Sequence, residues 1–313
     1  MRKLGPQELA IIDNWMYYNA RHLELATWSF HVHGHSQDDA VAAIARYQNA
    51  DGGFGQAIEP DNWNPASSPY FTENAIGRLL GLGMVDSSHA IFQGIFRFLE
   101  APAYSGEHGW DFTIPSNDNY PHAPWWTYSA EANKTENIGL TATLAGFVLR
   151  YAKDHPKLHT KALGYADQLL AQLAGTQAFG EMGIGGYCAL LEDVRAAGLA
   201  SRYDMDMLEA KVRDIVNGSI MRDPAKWPEY TIRPSRYIRS PQSPYYAGNE
   251  SIMQAELDYI LDTRDPNGVW PLTWSWFDLA AVYPEEHAIS MNWSKAIVAG
   301  GNVQLLKAFG RIG

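Results

Sequence analysis

Glu73, Glu136 and Glu250 each stand where an apolar helix is expected to begin, in TENAIGRLLGLG, TENIGLTATLAGFVLRYA and NESIMQAELDYIL. Carboxylates gathered at one end of a cavity repel, which lifts at least one pKa into the range useful for a general acid. A first-turn glutamate also has a purely structural use, worth roughly 0.3–1 kcal/mol against the helix dipole. Thr72 and Thr135 as N-caps complete that account. Glu59 and Asp61, in QAIEPDNW, lie on a connection that can reach a cavity mouth as proton donor or hydroxyl acceptor. Their structural alternative is a solvated turn started by Asp61.

The stretch GWDFTIPSNDNYPHAPWW concentrates a second set. Asp111 is an acid candidate, and Asp118, Tyr120 and His122 are binding candidates beside Trp110, Trp125 and Trp126. Aromatic faces stabilise a carbocation through their quadrupole and also stack on the apolar face of a sugar. They serve equally to anchor a long loop on a core. In the later loop, IRPSRYIRS spaces Arg233, Arg236 and Arg239 three apart, suited to a diphosphate or a uronate carboxylate. Arg236 and Tyr245 are the binding candidates of that loop. His31, His33 and His35 alternate in HVHGH and share a face if the segment is extended, but no carboxylate stands at a metal-motif spacing. A solvated connection between helices is the expectation there, and no metal or other cofactor is expected.

The elements that must position these residues read as helices. SQDDAVAAIARYQ opens with a capping box of Ser36 and Asp39 and carries Val41, Ile44 and Ala45 on one face. Ile76, Leu79 and Leu80 precede Gly83, a good helix terminator. Leu140, Leu144, Phe147, Val148 and Tyr151 form a stripe, as do Leu163, Ala166, Leu170 and Leu173, and Met253, Leu257, Ile260 and Leu261. No block of alternating strands occurs, so the fold class is all-α. Two intervals break the rhythm, residues 103–134 and 221–248, both long and rich in Pro, Trp and Tyr. Loops of this length are uncommon unless functional, and their aromatic content argues for ordered walls of a site.

The chain also repeats itself. TEN recurs at 72–74 and 135–137, SPYFTENAI is echoed by SPYYAGNESI, and DGGF is echoed by PNGVW when Gly52 is set on Gly268. A weaker version is EHGWDF. Single hairpins cannot bury their own apolar faces, so such units must stack or close into a ring.

YQNADGGFG resembles the glutamine–tryptophan repeat of terpenoid cyclases and the QxxDGGFG repeat of protein prenyltransferase β subunits. The passage from Tyr47 to Asn74, with YPHAPWW, further resembles bacterial proteins of unassigned activity in that superfamily. The resemblance implies a single α/α-toroid domain over residues 1–313, with two rings of helices around a cavity that takes a small-molecule substrate. It does not carry the reaction. QDDA and DMDM do not match the cyclases' DxDD acid, and Cys188 in GGYCAL has Gly186 where the prenyltransferases' zinc-binding Asp would be. A similar Gln-x-x-Asp-Gly-Gly-aromatic string in α/α-barrel pectate lyases keeps carbohydrate chemistry open.

A net charge of −11 disfavours nucleic acid and anionic membrane surfaces as partners. No apolar run reaches the ~18–20 residues of a membrane span, and Gln7 and Glu8 interrupt any signal-peptide core. One cysteine precludes an internal disulfide, and a cytoplasmic location is expected. The sequence thus leads to an enzyme with general acid chemistry on an isoprenoid-like or other small organic substrate. The alternatives are a carbohydrate lyase or glycoside hydrolase, and a non-catalytic toroid that binds a ligand or partner.

Overall fold

The computed structural model describes residues 2–175 and 181–313. In order, the elements are α1 (Pro6–Asn19), α2 (His22–His33), α3 (Gln37–Ala45), α4 (Pro69–Gly81), α5 (Ala90–Glu100), β1 (Ser105–Gly106), β2 (Gly109–Trp110), α6 (Asn137–Tyr151), α7 (Pro156–Gly175), α8 (Glu181–Ala196), α9 (Met205–Ser219), α10 (Glu250–Asp262), α11 (Leu279–Val282) and α12 (Pro284–Ala308). The chain is all-α, and among the described residues its strands are one two-residue antiparallel pair, β1–β2. No described helix is long and apolar enough to cross a membrane. Two compact units form, Ile44–Ile215 and the discontinuous pair Met1–Ala43 with Val216–Gly313.

In the continuous unit α6 is the centre. The expected single stripe is exceeded, because Gly139, Ala142, Ala145 and Gly146 are buried together with Leu140, Leu144, Phe147 and Val148. A helix covered on nearly every side must be apolar nearly all round, and α4, α7, α8 and β2 all pack on this one. The α6–α8 approach is unusually close. A Cβ placed on Gly186 would stand 2.1 Å from the Gly139 carbonyl oxygen. This gives a physical reason why Gly186 is not an aspartate: only glycine fits that crossing.

The turn after α3 behaves as its glycines suggest. Gly52 has φ +95°, and a Cβ there would lie 2.1 Å from the Gly94 carbonyl oxygen in α5. Gln48 Nε2 donates to the carbonyls of Gly52 and Ile91, both at 2.9 Å, tying the turn to α5. Phe54 is fully buried. In the other unit Gly268 also has φ +95°. The Asp265 N–H to Val269 O bond (2.8 Å) and the Gly268 N–H to Asp265 O bond (2.9 Å) repeat those of Asn49 to Gly53 (2.8 Å) and Gly52 to Asn49 (2.9 Å). The repeat noticed in the letters is therefore a repeat in hydrogen bonding.

The helix starts differ from expectation. Ser68, not Thr72, caps α4, its hydroxyl accepting the Phe71 N–H at 3.1 Å. Thr72 lies inside the helix, accepting the Phe54 N–H (3.1 Å) and donating to Ser68 O (2.8 Å). Its counterpart is Thr141, which accepts the Trp110 N–H at 3.1 Å, and not Thr135 of the second TEN. Thr135 precedes α6, and both its N–H (3.0 Å) and its hydroxyl (3.3 Å) bond back to Ala132 O rather than capping the helix. Ser36 does cap α3, through the Asp38 N–H at 3.1 Å.

The discontinuous unit packs α1 and α12 with α2 and buries Ile12, Met16, Leu23, Trp28, Val303 and Leu306. Met253, Leu257, Ile260 and Leu261 are the buried face of α10. Leu4 bonds through its N–H to Arg311 O (2.8 Å) and accepts from Gly313 N–H (2.9 Å). The buried Arg311 guanidinium donates to Arg2 O (2.5 Å) and Gln254 Oε1 (3.0 Å) and pairs with Asp258. His31 and His33 sit in the last turn of α2 rather than on an extended segment, so they do not share a face. His33 Nε2 meets Asp13 Oδ1 at 2.7 Å.

Candidate functional site

Within the continuous unit, chemistry-bearing groups converge between the segment after the glycine turn and α4. That segment begins with Gln56 (φ +57°) and Ala57 (φ +59°), two successive side-chain-bearing residues in left-handed backbone. Such residues cost on the order of 1–3 kcal/mol each and persist where the surroundings hold them. Here the Gln56 N–H donates to Asn64 O (3.1 Å) and its side chain to Asn49 Oδ1 (2.9 Å). Beyond them the backbone is laid against the chain at 121–123. The Trp63 N–H bonds to Pro121 O (2.9 Å) and the Ala123 N–H to Asp61 O (2.8 Å). Asn64 Nδ2 reaches Ser116 Oγ (2.8 Å) and Asn117 Oδ1 (2.9 Å), and Asn117 holds the Trp126 carbonyl (2.9 Å). Glu59 and Asp61 are thus carried on a fixed backbone, and Asp61 is only 5% exposed.

The partner wall is α4, where Tyr70, Asn74 and Arg78 follow at four-residue spacing on one face, with Glu73 alongside. Asn74 Nδ2 donates to Glu59 Oε2 (3.1 Å), and Arg78 Nε donates to Asn74 Oδ1 (2.8 Å). This relay links the Glu59 carboxylate to a permanent positive charge through two hydrogen bonds and one amide. Next to it, Tyr70 meets Trp126 edge-on at 4.4 Å, and Phe112 stacks on Trp126 at 5.3 Å. Two buried donors, Asn62 Nδ2 and Trp126 Nε1, have no hydrogen-bond partner among the described residues. Buried donors normally find one. The assembled chemistry is carboxylate, amide, guanidinium and phenol on one side, and aromatic faces on the other. Among the described residues no group of three or more His, Cys, Asp and Glu gathers as a metal site.

The other sequence candidates are dispersed. His122 is buried, its Nδ1 2.7 Å from Tyr120 O and its Nε2 3.1 Å from Thr127 Oγ1, so it braces the loop. Asp118 is exposed and accepts the Tyr128 N–H (2.8 Å). Tyr120 and Trp125 are each 37% exposed, the two open aromatic faces of this loop. Trp110 is fully covered, its indole N–H donating to Leu99 O (3.2 Å). Asp111 is half-buried, and burial lifts its carboxyl above the ordinary aspartate value. Its described contacts tie it to Tyr104, through the backbone, and to the charge balance of Tyr165, not to Glu59.

The three glutamates that seemed equivalent are not. Glu73 is in the second turn of α4, Glu136 is exposed just before α6, and Glu250 is exposed at the first residue of α10. Glu250, Arg236 and Tyr245 belong to the discontinuous unit. There Arg236 is exposed at the end of a single 3-10 turn, and Tyr245 is half-buried, its carbonyl accepting from Asn249 Nδ2 (2.9 Å).

Sequence reasoning passed over Glu256. It is fully buried, its Oε2 accepting the Ser235 N–H (2.6 Å) and its Oε1 the Ser235 hydroxyl (2.5 Å), with Arg233 Nε at 3.5 Å. Burial raises its pKa against the lowering pull of Arg233 and Ser235. The signal was available: Glu256 falls on the apolar stripe of Met253, Leu257 and Ile260, where a charge demands a partner. Asn74 was legible too, four residues from both Tyr70 and Arg78.

No protein-family model matches the chain, and neither a curated protein nor a solved structure matches it.

Proposed function

We propose that the chain is an enzyme performing general acid–base chemistry with Glu59, Asp61 and Glu73 on a substrate rich in hydroxyl or carboxylate groups, as a carbohydrate lyase or hydrolase does. The observation that carries this is the Glu59–Asn74–Arg78 relay, which orients one carboxylate while Asp61, two residues away, is nearly excluded from water. Two carboxylates in different surroundings divide acid and base roles between them. The polar character of this wall suits a sugar better than a hydrocarbon, and the half-buried Tyr70 and Phe112 rings, backed by the buried Trp126, give it an aromatic edge. The repeated glycine turn at Gly52 and Gly268 supports the wider reading of this chain as an α/α toroid.

A second reading, acid chemistry on an isoprenoid-like substrate, draws on that same aromatic group, whose faces can stabilise a cation. Thermal-shift measurements separate the two. Ligand at about 100 times its dissociation constant adds roughly 2.7 kcal/mol. A shift with oligosaccharides or uronates, and turnover lost by at least ~100-fold in Glu73→Gln with binding retained, is the expected outcome. A shift with prenyl diphosphates alone selects the second reading. Binding with no turnover in either panel sinks the enzyme assignment in favour of a binding protein.

A further inference from the structure

A separate group of side chains assembles where the β1–β2 hairpin lies on α7. Lys161 and Tyr165 are one helical turn apart and face the hairpin together. Lys161 Nζ is 2.6 Å from Ser105 Oγ and donates to Leu99 O at 3.0 Å, with the Trp110 ring centroid 5.2 Å away. The Tyr165 hydroxyl donates to Gly106 O at 2.7 Å and lies in hydrogen-bonding reach of Ser105. The Ser105 hydroxyl thus has the lysine nitrogen at 2.6 Å and Tyr165 within reach, while the Ala101 carbonyl stands farther off, at 3.5 Å.

Beside this group runs a groove of about 420 Å³, lined chiefly by apolar side chains such as Phe98, Ala101, Tyr104 and Trp110, with Asp51 and Arg97 as its charged lining residues. Ser105 follows its lining residue Tyr104 directly and pairs across the hairpin with Trp110. A hydroxyl against an amine, both in contact with the Trp110 that lines an apolar groove, is an arrangement that serine–lysine acyl transfer can use.

We propose that Ser105 and Lys161 form a nucleophile–base pair that takes the acyl group of a small ester whose apolar part lies in this groove. The lysine must be a neutral amine to act as base. Burial pulls the Lys161 pKa down, against the opposing charge of Glu100. A neutral amine has two N–H groups and one lone pair, so it can donate to Leu99 O and still accept the Ser105 proton. In the acylation step Ser105 Oγ bonds to the ester carbonyl carbon, and its proton passes to Lys161 Nζ. The carbonyl π pair moves to oxygen and then returns, breaking the bond to the leaving oxygen. That oxygen takes the proton from Lys161 and departs as the alcohol. Water, losing a proton to Lys161, then displaces Ser105, which regains its proton as the acid leaves. Tyr165 positions the hairpin through Gly106.

The test is covalent labelling of the full chain with a fluorophosphonate and turnover of p-nitrophenyl acetate, with the label located by peptide mass mapping. Label is expected on Ser105, at a rate that rises with pH to a plateau as the amine deprotonates. Ser105→Ala abolishes it, and Lys161→Arg, which keeps the charge and the packing stem but cannot act as base, slows it by about 100-fold or more. Should Lys161→Arg fail to fold, the wild-type pH profile still decides. Label absent from Ser105, label on Lys161 instead, a pH-independent rate, or an unchanged rate in Lys161→Arg would each overturn the proposal.

Discussion

Single residues here carry charge in places where its cost can be measured. Burial raises the Asp111 carboxyl above its ordinary value. Below the unfolded-state pKa of about 3.9 both states hold the proton and Asp111 has no effect on the pH dependence. As pH rises through the interval up to the folded-state value, the unfolded chain releases its proton first and stability falls. Asp111→Asn lacks that slope. Urea midpoints from pH 3 to 7 should therefore show the stability difference, variant minus wild type, growing with pH and then levelling off. Glu256 behaves oppositely to an exposed carboxylate on removal. Glu256→Gln leaves one of the Ser235 donors facing an amide N–H and Arg233 without its counter-charge, a loss of about 3–5 kcal/mol by analogy with other broken buried pairs. The same change should free the loop at 233–239, read as faster tryptic cleavage after Arg236. Unchanged cleavage would mean that the loop is held by other contacts.

At the scale of elements, the close approach of α6 and α8 is the sharpest constraint. Gly186→Ala forces a methyl into a space 2.1 Å from a backbone carbonyl. Overpacking of this sort costs about 1–3 kcal/mol or more, and the urea midpoint should drop accordingly. The periodic stripes of α4, α7 and α10 could be read from sequence because burial on one face leaves a 3.6-residue signature. The glycine turn could be read because only glycine tolerates φ +95°. The helix starts could not. TEN at 72 and TEN at 135 share letters, yet Thr72 and Thr141 share the hydrogen bond to an aromatic residue's N–H, and that equivalence depends on where the chain returns in space. For the same reason Glu73 is half-buried on α4 beside Asn74 and Glu136 stands in solvent. Glu59 and Asp61 were found by residue type, but the Asn74–Arg78 relay that orients Glu59 needs the helix face and the loop together.

For the whole molecule, the repeat unit is a turn of fixed hydrogen bonding followed by a buried aromatic, present in both compact units. The continuous unit contains the Glu59–Asp61–Glu73 group and the Ser105–Lys161 pair and uses no residue from either end of the chain. Residues 37–219, which keep α3 and α9 whole, should fold alone with a cooperative thermal transition. A broad, non-cooperative melt would show that the unit depends on the remainder. The other unit is completed by Leu4 bonding to Arg311 and Gly313. On the ribosome, at about 5–20 residues per second, the helices bearing Ile12, Met16, Leu23 and Trp28 are made roughly ten to forty seconds before residue 216. For that interval their apolar faces are a target for holding chaperones, and rapid dilution from denaturant removes the delay that translation imposes.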